Sequence, residues 1–258
     1  MNKTYDAPKY YEIAFSFMNV KRQIDSFEKI IKKFSKIKVK TFLDVACGPS
    51  LQLREIAKRG YGAIGLDLSN EMLKYLQKKA NEKKLKIQTI KADMYNFKLD
   101  KKADFAYILL GSLTPKSNEN LLSHLNSVAS SLNKGGLYLI QNHMFEYQSA
   151  LSKPQTWVMK NDGIIVKTTY NAKMKNIPGQ IIQENISLEI NDNGKKRKFS
   201  HKKDLKTISP QEFKLLVEKN GKFEFIGWFP GDCNTWWIDK KLENAKDANM
   251  NMILLRKK

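Results

Sequence analysis

The sequence has few cysteines and no long apolar run. Two cysteines, Cys47 and Cys233, stand in a chain of 258 residues, too few for a disulfide framework or a cysteine-rich metal cluster. The longest apolar stretch, FAYILLGSL at 105–113, has about half of the roughly 20 residues that a membrane-spanning helix needs. The N-terminal segment MNKTYDAPKYYE lacks the apolar core of a secretory signal. We therefore expect a cytoplasmic protein with no membrane span and no bound metal.

Arginine is scarce although the chain is strongly basic. The formal net charge is +20, but only five of the 46 basic residues are arginine. The planar fork of arginine suits phosphates and base edges better than lysine does, and the lysines are spread from Lys3 to Lys258. A lysine-rich composition on solvated surfaces is the favoured interpretation, and a nucleic-acid-binding surface is the alternative.

Strand and helix patterns alternate over the first 140 residues. Apolar residues at helical spacing predict a helix over about 20–35, and three further helices follow, the last over 118–132. Such alternation is typical of a parallel sheet with crossover helices. The strand patterns lie at 41–46, 61–67, 86–93, 104–111 and 137–142.

The period changes to two between residues 153 and 208. Ile186, Leu188 and Ile190 alternate with polar residues, and the turn-forming stretches Asn161-Asp162-Gly163 and 191–194 predict antiparallel hairpins. A helix start at Ser209-Pro210 and two more strand patterns follow. We predict lid helices and five strands in 1–152, an inserted antiparallel β cap in 153–208, and a last helix with two strands in 209–258.

The first strand leads into an unusual turn, LDVACGPS at 43–50. A dinucleotide-binding turn has the pattern G-x-G-x-x-G so that its backbone can approach a pyrophosphate, and here only Gly48 of those glycines is present. Asp67 ends the next strand at the spacing where a carboxylate accepts ribose hydroxyls. The pattern predicts a cofactor that has a ribose and no phosphates.

Four segments together resemble the motifs of class I S-adenosylmethionine-dependent methyltransferases. LDVACGPS is similar to the first motif, GLDLSNEML at 65–73 to the second, KADMYNF at 91–97 to the third, and LLGSL at 109–113 to the segment that lines the methyl-donor pocket. The resemblance implies an α/β fold with a Rossmann-like, seven-stranded, mostly parallel sheet and helices on both faces. It also implies S-adenosylmethionine as cofactor, S-adenosylhomocysteine as product, and no metal.

The resemblance assigns cofactor roles to individual residues. Asp67 would bind the ribose, Leu68 and Met72 would flank the adenine, Asp93 would take the adenine amino group, and Met94 would add a backbone contact. In the first motif, Ser50 replaces the usual last glycine. The full set of implied cofactor-binding residues is Tyr11, Phe15, Asp44, Ala46, Cys47, Gly48, Pro49, Asp67, Leu68, Met72, Asp93, Met94 and Leu110.

The aromatic segment YDAPKYYEIAFSF at 5–17 is similar to the lid that small-molecule members of this family fold over the cofactor. Together with the β cap, this favours a small-molecule methyl acceptor. The D/N-P-P-Y motif of amino-methylating nucleic-acid enzymes and the Pro-Cys nucleophile of cytosine C5 enzymes are absent from the sequence. Candidate acceptor-binding residues are Tyr5, Gly111, His143 and Trp157.

His143 is the candidate catalytic residue. It follows the fifth strand pattern at the carboxyl edge of the sheet, where open α/β folds bind ligands, and histidine titrates near neutral pH. The alternatives are a histidine satisfied by hydrogen bonds at the floor of the pocket and one that only orients the substrate. We expect His124 and His201 to lie on the surface.

The sequence thus predicts methyl transfer to nitrogen or oxygen of a small molecule. Two alternatives are a methyltransferase of RNA or another macromolecule and a non-catalytic S-adenosylmethionine-binding protein. The chain would be a monomer or a homodimer.

Overall fold

The structure is a computed structural model, and it describes residues 4–142, 153–242 and 250–258. The helices of this part are α1 (Pro8–Ala14), α2 (Val20–Phe34), α3 (Leu51–Lys58), α4 (Asn70–Glu82), α5 (Asn118–Ser131) and α6 (Pro210–Asn220). The strands are β1 (Thr41–Val45), β2 (Gly62–Asp67), β3 (Gln88–Lys91), β4 (Ala103–Ile108), β5 (Leu132–Asn142), β6 (Gln155–Asn161), β7 (Ile164–Asn176), β8 (Ile181–Asp192), β9 (Lys195–Lys206), β10 (Phe223–Gly231) and β11 (Met250–Lys257).

The larger sheet has seven strands in the order β10-β11-β5-β4-β1-β2-β3. β1 to β5 pair in parallel, while β11 runs antiparallel to both β10 and β5. This confirms the predicted α/β class, a Rossmann-like and mostly parallel sheet with an additional antiparallel sheet. The strand order reverses between β1 and β4, and open α/β sheets bind ligands at the carboxyl ends of such strands.

Helices cover both faces of this sheet because neighbouring residues of its strands point to opposite sides. Phe42 and Phe105 pack beneath α2, α3 and α4, whereas Leu43 and Ala106 pack beneath α5 and α6. All four side chains are fully buried. With both faces covered, a ligand reaches the central strands only at their ends.

The entrance to β5 differs from the sequence-based prediction. Residues 133–136 were expected to form a loop, but β5 begins at Leu132, directly after α5. The pairing with β4 jumps from Leu132 to Leu137, so the intervening residues form an irregularity within the strand. Gly135 has a φ of +82° there, and the Asn133 side chain donates to Asp104 Oδ1 at 2.8 Å.

The smaller sheet is the cap. Its strands pair antiparallel in the order β6-β7-β8-β9. Val166 and Leu188, both fully buried, pack against Tyr10 and Ala14 of α1, and the Tyr10 hydroxyl donates to Asp192 at 2.8 Å. The N-terminal helix is therefore fixed to the cap.

Candidate active site

A cavity of about 840 Å³ opens at the carboxyl ends of β1, β2 and β4. Its walls come from the turn after β1, the segments after β2, β3 and β4, helix α1 and strand β9. The position is the switch point of the strand order, as expected for an open α/β sheet. Every residue that the family resemblance assigned to cofactor binding lies in these walls: Tyr11, Phe15, Asp44, Ala46, Cys47, Gly48, Pro49, Asp67, Leu68, Met72, Asp93, Met94 and Leu110.

The turn after β1 adopts backbone conformations that usually need glycine. Ala46 and Ser50 have φ values of 56° and 27°, and Gly48 has 54°. A positive φ at a non-glycine residue costs on the order of 1 kcal/mol and is concentrated at functional sites. Gly65, on β2, leaves room for the turn, because a Cβ there would lie 2.9 Å from the Cys47 sulfur.

Ser50 replaces a glycine and forms two side-chain hydrogen bonds. Its hydroxyl donates to Asp44 Oδ2 at 2.6 Å and accepts from the Leu53 backbone N–H at 3.0 Å, which caps the start of α3. Burial raises the pKa of Asp44 to about 7, and the Ser50 hydrogen bond opposes that rise. Ser50 therefore both starts the helix and stabilises the charged form of a carboxylate in the cavity wall.

Asp67 is held by two backbone N–H groups at the end of β2. Its Oδ2 accepts from Gly48 at 2.7 Å, and its Oδ1 accepts from Ser69 at 2.8 Å. Burial raises the pKa of Asp67, and these hydrogen bonds counteract the rise. Each oxygen keeps a further acceptor position, so the carboxylate can take two more donors from a ligand.

Asp93 follows β3 and begins a segment that closes one end of the cavity. Its Oδ1 accepts from the Tyr95 backbone N–H at 2.9 Å. The backbone of the preceding residue, Ala92, donates to the Asp67 carbonyl oxygen at 3.2 Å. This contact fixes the segment next to the carboxylate on β2.

Aromatic residues of the N-terminal segment form the opposite wall. The Tyr11 ring lies 4.6 Å from Phe15 and 5.9 Å from Tyr5, centroid to centroid. Burial raises the pKa of Tyr5 to about 12 and that of Tyr11 further, so both phenols stay neutral. Glu12 of α1 forms an ion pair with Arg54 of α3, which ties the lid to the helix that follows the β1 turn.

The residues expected to bind the acceptor lie in different places. Tyr5 lines the cavity, but Gly111 lies between the wall residues Leu110 and Ser112 without being part of the wall. Trp157 is outside the wall, where its ring packs 5.8 Å from Phe15 and its Nε1 donates to Ala14 O at 2.7 Å. His143 lies outside the described residues.

Two histidines differ from the surface position expected for them. His124 is fully buried within α5, and burial lowers its pKa to about 4. His201 of β9 lines the cavity, with its ring 4.9 Å from that of Tyr5. The alternation of Phe199, His201, Lys203 and Leu205 along β9 could have indicated a shared inward face.

Two further properties concern metals and membranes. Among the side chains that the structure describes, no group of three or more His, Cys, Asp or Glu could hold a metal ion. In the same residues no helix is long and apolar enough to span a membrane.

The fold, the order of the motifs and the position of the cavity are similar to those of class I S-adenosylmethionine-dependent methyltransferases. Residues 42–136 match a family described as "Methyltransferase domain". It is 28% identical over 124 residues to dTDP-3-amino-3,4,6-trideoxy-alpha-D-glucopyranose N,N-dimethyltransferase from Streptomyces venezuelae. That alignment covers 48% of this chain and 51% of the relative, so the chain spans about half the length of this curated relative.

Solved structures of methyltransferases share the whole fold. Streptomyces venezuelae DesVI superimposes with a TM-score of 0.78 at 18% identity, covering 98% of both chains. An S-adenosylmethionine-dependent methyltransferase from Clostridium acetobutylicum gives 0.77 at 17%, covering 97% of this chain and 96% of that one. The sugar N-methyltransferase KedS8 from Streptoalloteichus gives 0.74 at 16%, covering 100% and 94%. The likeness therefore includes the lid and the cap.

Proposed function

We propose that this protein transfers a methyl group from S-adenosylmethionine to a nitrogen or oxygen atom of a small molecule. The observation that carries the proposal is the convergence of Asp44, Asp67 and Asp93 on one cavity beside Gly48. These carboxylates lie at or just beyond the carboxyl ends of three neighbouring strands, and the turn after β1 has no array of glycines for a pyrophosphate. The arrangement suits a cofactor with one ribose, one base and a positively charged tail.

Each part of the cofactor has a matching group in the walls. Asp67 keeps an acceptor position on each oxygen for the two ribose hydroxyls, and Asp93 is available to the amino group of adenine. Asp44 offers negative charge to the cationic end of the cofactor. Tyr11 of α1 and Phe15, which directly follows that helix, would cover the cofactor and exclude water.

The cofactor supplies an electrophilic methyl group, and the protein places the acceptor atom on the methyl axis. The cavity volume of about 840 Å³ lies near the upper end of the usual range for ligand pockets, roughly 300–1,000 Å³. It therefore offers room for a small acceptor next to the cofactor. An amine acceptor must be unprotonated when it attacks the methyl group, because an ammonium nitrogen has no lone pair.

The charge of the cavity favours an amine over a polyanion. Carboxylate side chains outnumber lysines in its walls, although the whole chain carries +20. A cationic amine is attracted to such a cavity, whereas nucleic acid needs positive charge around its binding site. The named relatives that act on amino sugars support the same acceptor class. The acidic wall residues are Asp6, Glu12, Asp44, Asp67, Glu71, Asp93 and Asp204, and the lysines are Lys91, Lys116 and Lys203.

The cofactor assignment is tested by calorimetric binding of S-adenosylmethionine to the wild type and to Asp67→Ala. We expect binding to the wild type and a loss of about tenfold or more in the variant, because two hydroxyl hydrogen bonds to a carboxylate are removed. Equal affinities would refute the ribose assignment. Asp232→Ala is the matched control, since Asp232 lies in the turn after β10 and accepts from backbone N–H groups there.

The acceptor is tested with methyl-labelled S-adenosylmethionine. The protein is incubated with a panel of free and nucleotide-linked amino sugars, their hydroxyl analogues, and total RNA. Label in an amino sugar supports the proposal, and label in RNA alone overturns it. The cytoplasmic location and the monomeric or homodimeric state expected from the sequence stay predictions.

A further inference from the structure

Helix α5 holds the segment that closes the base end of the cavity. We call residues 93–99 the adenine loop; it leads from β3 towards β4, and its first three residues line the cavity. Side chains of α5 bond its main chain at successive positions. The bonds are Ser123 Oγ to Tyr95 O (2.6 Å), Phe97 N to Ser127 Oγ (3.2 Å) and Leu99 N to Ser131 Oγ (3.2 Å).

His124 contributes the bond nearest to the cavity. Its Nδ1 lies 2.8 Å from the carbonyl oxygen of Met94, and its Nε2 lies 2.6 Å from the hydroxyl of Tyr138 on β5. A carbonyl oxygen only accepts, so Nδ1 carries the proton and Nε2 accepts from Tyr138. Both ring nitrogens are therefore used, and the imidazole links the adenine loop to the central sheet.

The imidazole is held in this single neutral form. It is fully buried, and burial lowers its pKa to about 4. The Tyr138 hydroxyl is buried as well, and its pKa is raised well above the ordinary value, so it remains a donor. Around neutral pH the Tyr138 hydroxyl therefore donates to His124 Nε2, and His124 Nδ1–H donates to the Met94 carbonyl oxygen.

Met94 is directly next to the carboxylate that faces the base. Asp93 lies in the cavity wall with Met94. The orientation of its carboxylate depends on the hydrogen bond that it accepts from the Tyr95 backbone N–H. A rotation of the Met94 peptide would turn both the backbone group offered to the base and the neighbouring carboxylate. His124 therefore lies one hydrogen bond behind the part of the wall that can distinguish one base from another.

We infer that His124 is a positioning residue that fixes the Met94 carbonyl, and through it the Asp93 carboxylate, in the orientation that selects an adenine ring. The inference rests on the proposed function, because it takes the base of S-adenosylmethionine to lie at Asp93 and Met94. A purely structural role would predict a different result. It would lower stability without changing the preference for one base over another.

The test compares two ligands that differ at one edge of the base. S-adenosylhomocysteine carries the 6-amino group and an unprotonated N1, whereas S-inosylhomocysteine carries a 6-carbonyl oxygen and an N1–H. Their affinities are measured by calorimetry for the wild type and for His124→Leu. We expect the variant to lose about tenfold in affinity for the adenosyl ligand, the value of about one ordered hydrogen bond, and much less for the inosyl ligand.

Three further variants separate positioning from stability. Leu125→Ala removes a fully buried neighbour on α5 and is the matched control; it should destabilise the fold and leave the preference for adenine unchanged. His124→Asn retains an amide N–H close to the place of Nδ1 and should recover most of the preference. Tyr138→Phe removes the donor to Nε2 alone and should give an intermediate loss.

The results separate this inference from the proposed function. If the wild type binds neither ligand, the proposed function fails. A second outcome is that the wild type prefers the adenosyl ligand and that both variants, His124→Leu and His124→Asn, keep this preference in full. The proposed function then stands, and the positioning role is refuted. ¹⁵N spectra of the histidine rings give an independent check, because the chain has only three histidines. His124 should show the Nδ1–H tautomer from pH 8 to pH 5. The Nε2–H tautomer would overturn the inference.

Discussion

Replacing Ser50 by glycine should shift the pH dependence of cofactor binding. The substitution removes the hydroxyl that donates to Asp44 at 2.6 Å. It also relieves a φ of 27° that glycine tolerates better, and glycine costs only a few tenths of a kcal/mol as an N-cap replacement. Ser50→Gly therefore changes the carboxylate more than it changes the stability of the fold.

The size of the effect follows from the pKa of Asp44. Burial raises it to about 7 in the free protein, and a bound cation favours the ionised form. Affinity for a cationic cofactor should then rise with pH up to about 7 and level off above it, falling about tenfold for each pH unit below. By the same linkage, the free protein loses stability as the pH rises from about 4 to about 7.

Loss of the Ser50 hydroxyl moves this midpoint upward. A hydrogen bond to a charged group contributes about 1.5–3 kcal/mol, equivalent to at least about one pH unit. The Tyr107 hydroxyl, which faces the same carboxylate, remains in the variant. We expect a midpoint near pH 8 in Ser50→Gly and an affinity about fivefold below wild type at pH 7.

The assay is calorimetric titration with S-adenosylhomocysteine, which keeps the cationic ammonium group, between pH 5.5 and pH 9. Two buffers with different heats of ionisation report the proton released when Asp44 becomes charged. Ser209→Gly is the control, because Ser209 caps α6 by accepting from Glu212 N–H and contacts no carboxylate of the cavity wall. A midpoint shared by wild type and Ser50→Gly, or binding without proton release near pH 6, would refute this reasoning.

Three other substitutions test the lid and its anchors. Arg54→Met leaves the Glu12 carboxylate half-buried without its partner and should lower the thermal unfolding temperature, with a cost of about 2–3 kcal/mol; an unchanged temperature would contradict this. Trp157→Phe removes the donor to Ala14 O and should cost about 1 kcal/mol, seen as faster amide exchange in α1 but not in α4. Phe15→Ala should weaken cofactor binding more than Trp157→Phe does, because Phe15 lines the cavity; the reverse order in calorimetry would place Trp157 at the ligand.

The fold could be predicted from the sequence because its local signals agree. The alternation of strand and helix patterns led to the parallel sheet, and Ser69 and Ser209 begin α4 and α6 as N-caps. The cavity walls could be predicted because the sequence motifs resemble those of methyltransferases, which implied the individual residues. Three of these motifs come together because the carboxyl ends of parallel strands meet at one edge of the sheet.

The contribution of the cap to the cavity, and the position of His124, could not be predicted in the same way. His201 and Lys203 reach the cavity from a strand of the cap that is far from the motifs in sequence, and its period of two leaves open which face is inward. His124 was expected on the surface because it was assigned to the polar side of its helix. Its ring instead bonds Tyr138, which comes from strand β5 and has no sequence signal of its own.

The serine at position 50 of the β1 turn and the acidity of the cavity are connected. Glycine could adopt the backbone conformation at position 50, but the Ser50 side chain also caps the start of α3. Its hydroxyl lowers the pKa of Asp44 and so stabilises the charged carboxylate. Burial still raises the pKa of both Asp44 and Asp67, because removal from water disfavours their charged forms. A cationic ligand bound beside them would favour the charged forms. The basic surface of the chain cannot do so, because its lysines are spread over solvated faces where water screens them. We therefore expect a preference for cationic ligands to depend on the carboxylates of the buried wall and not on the net charge of the protein.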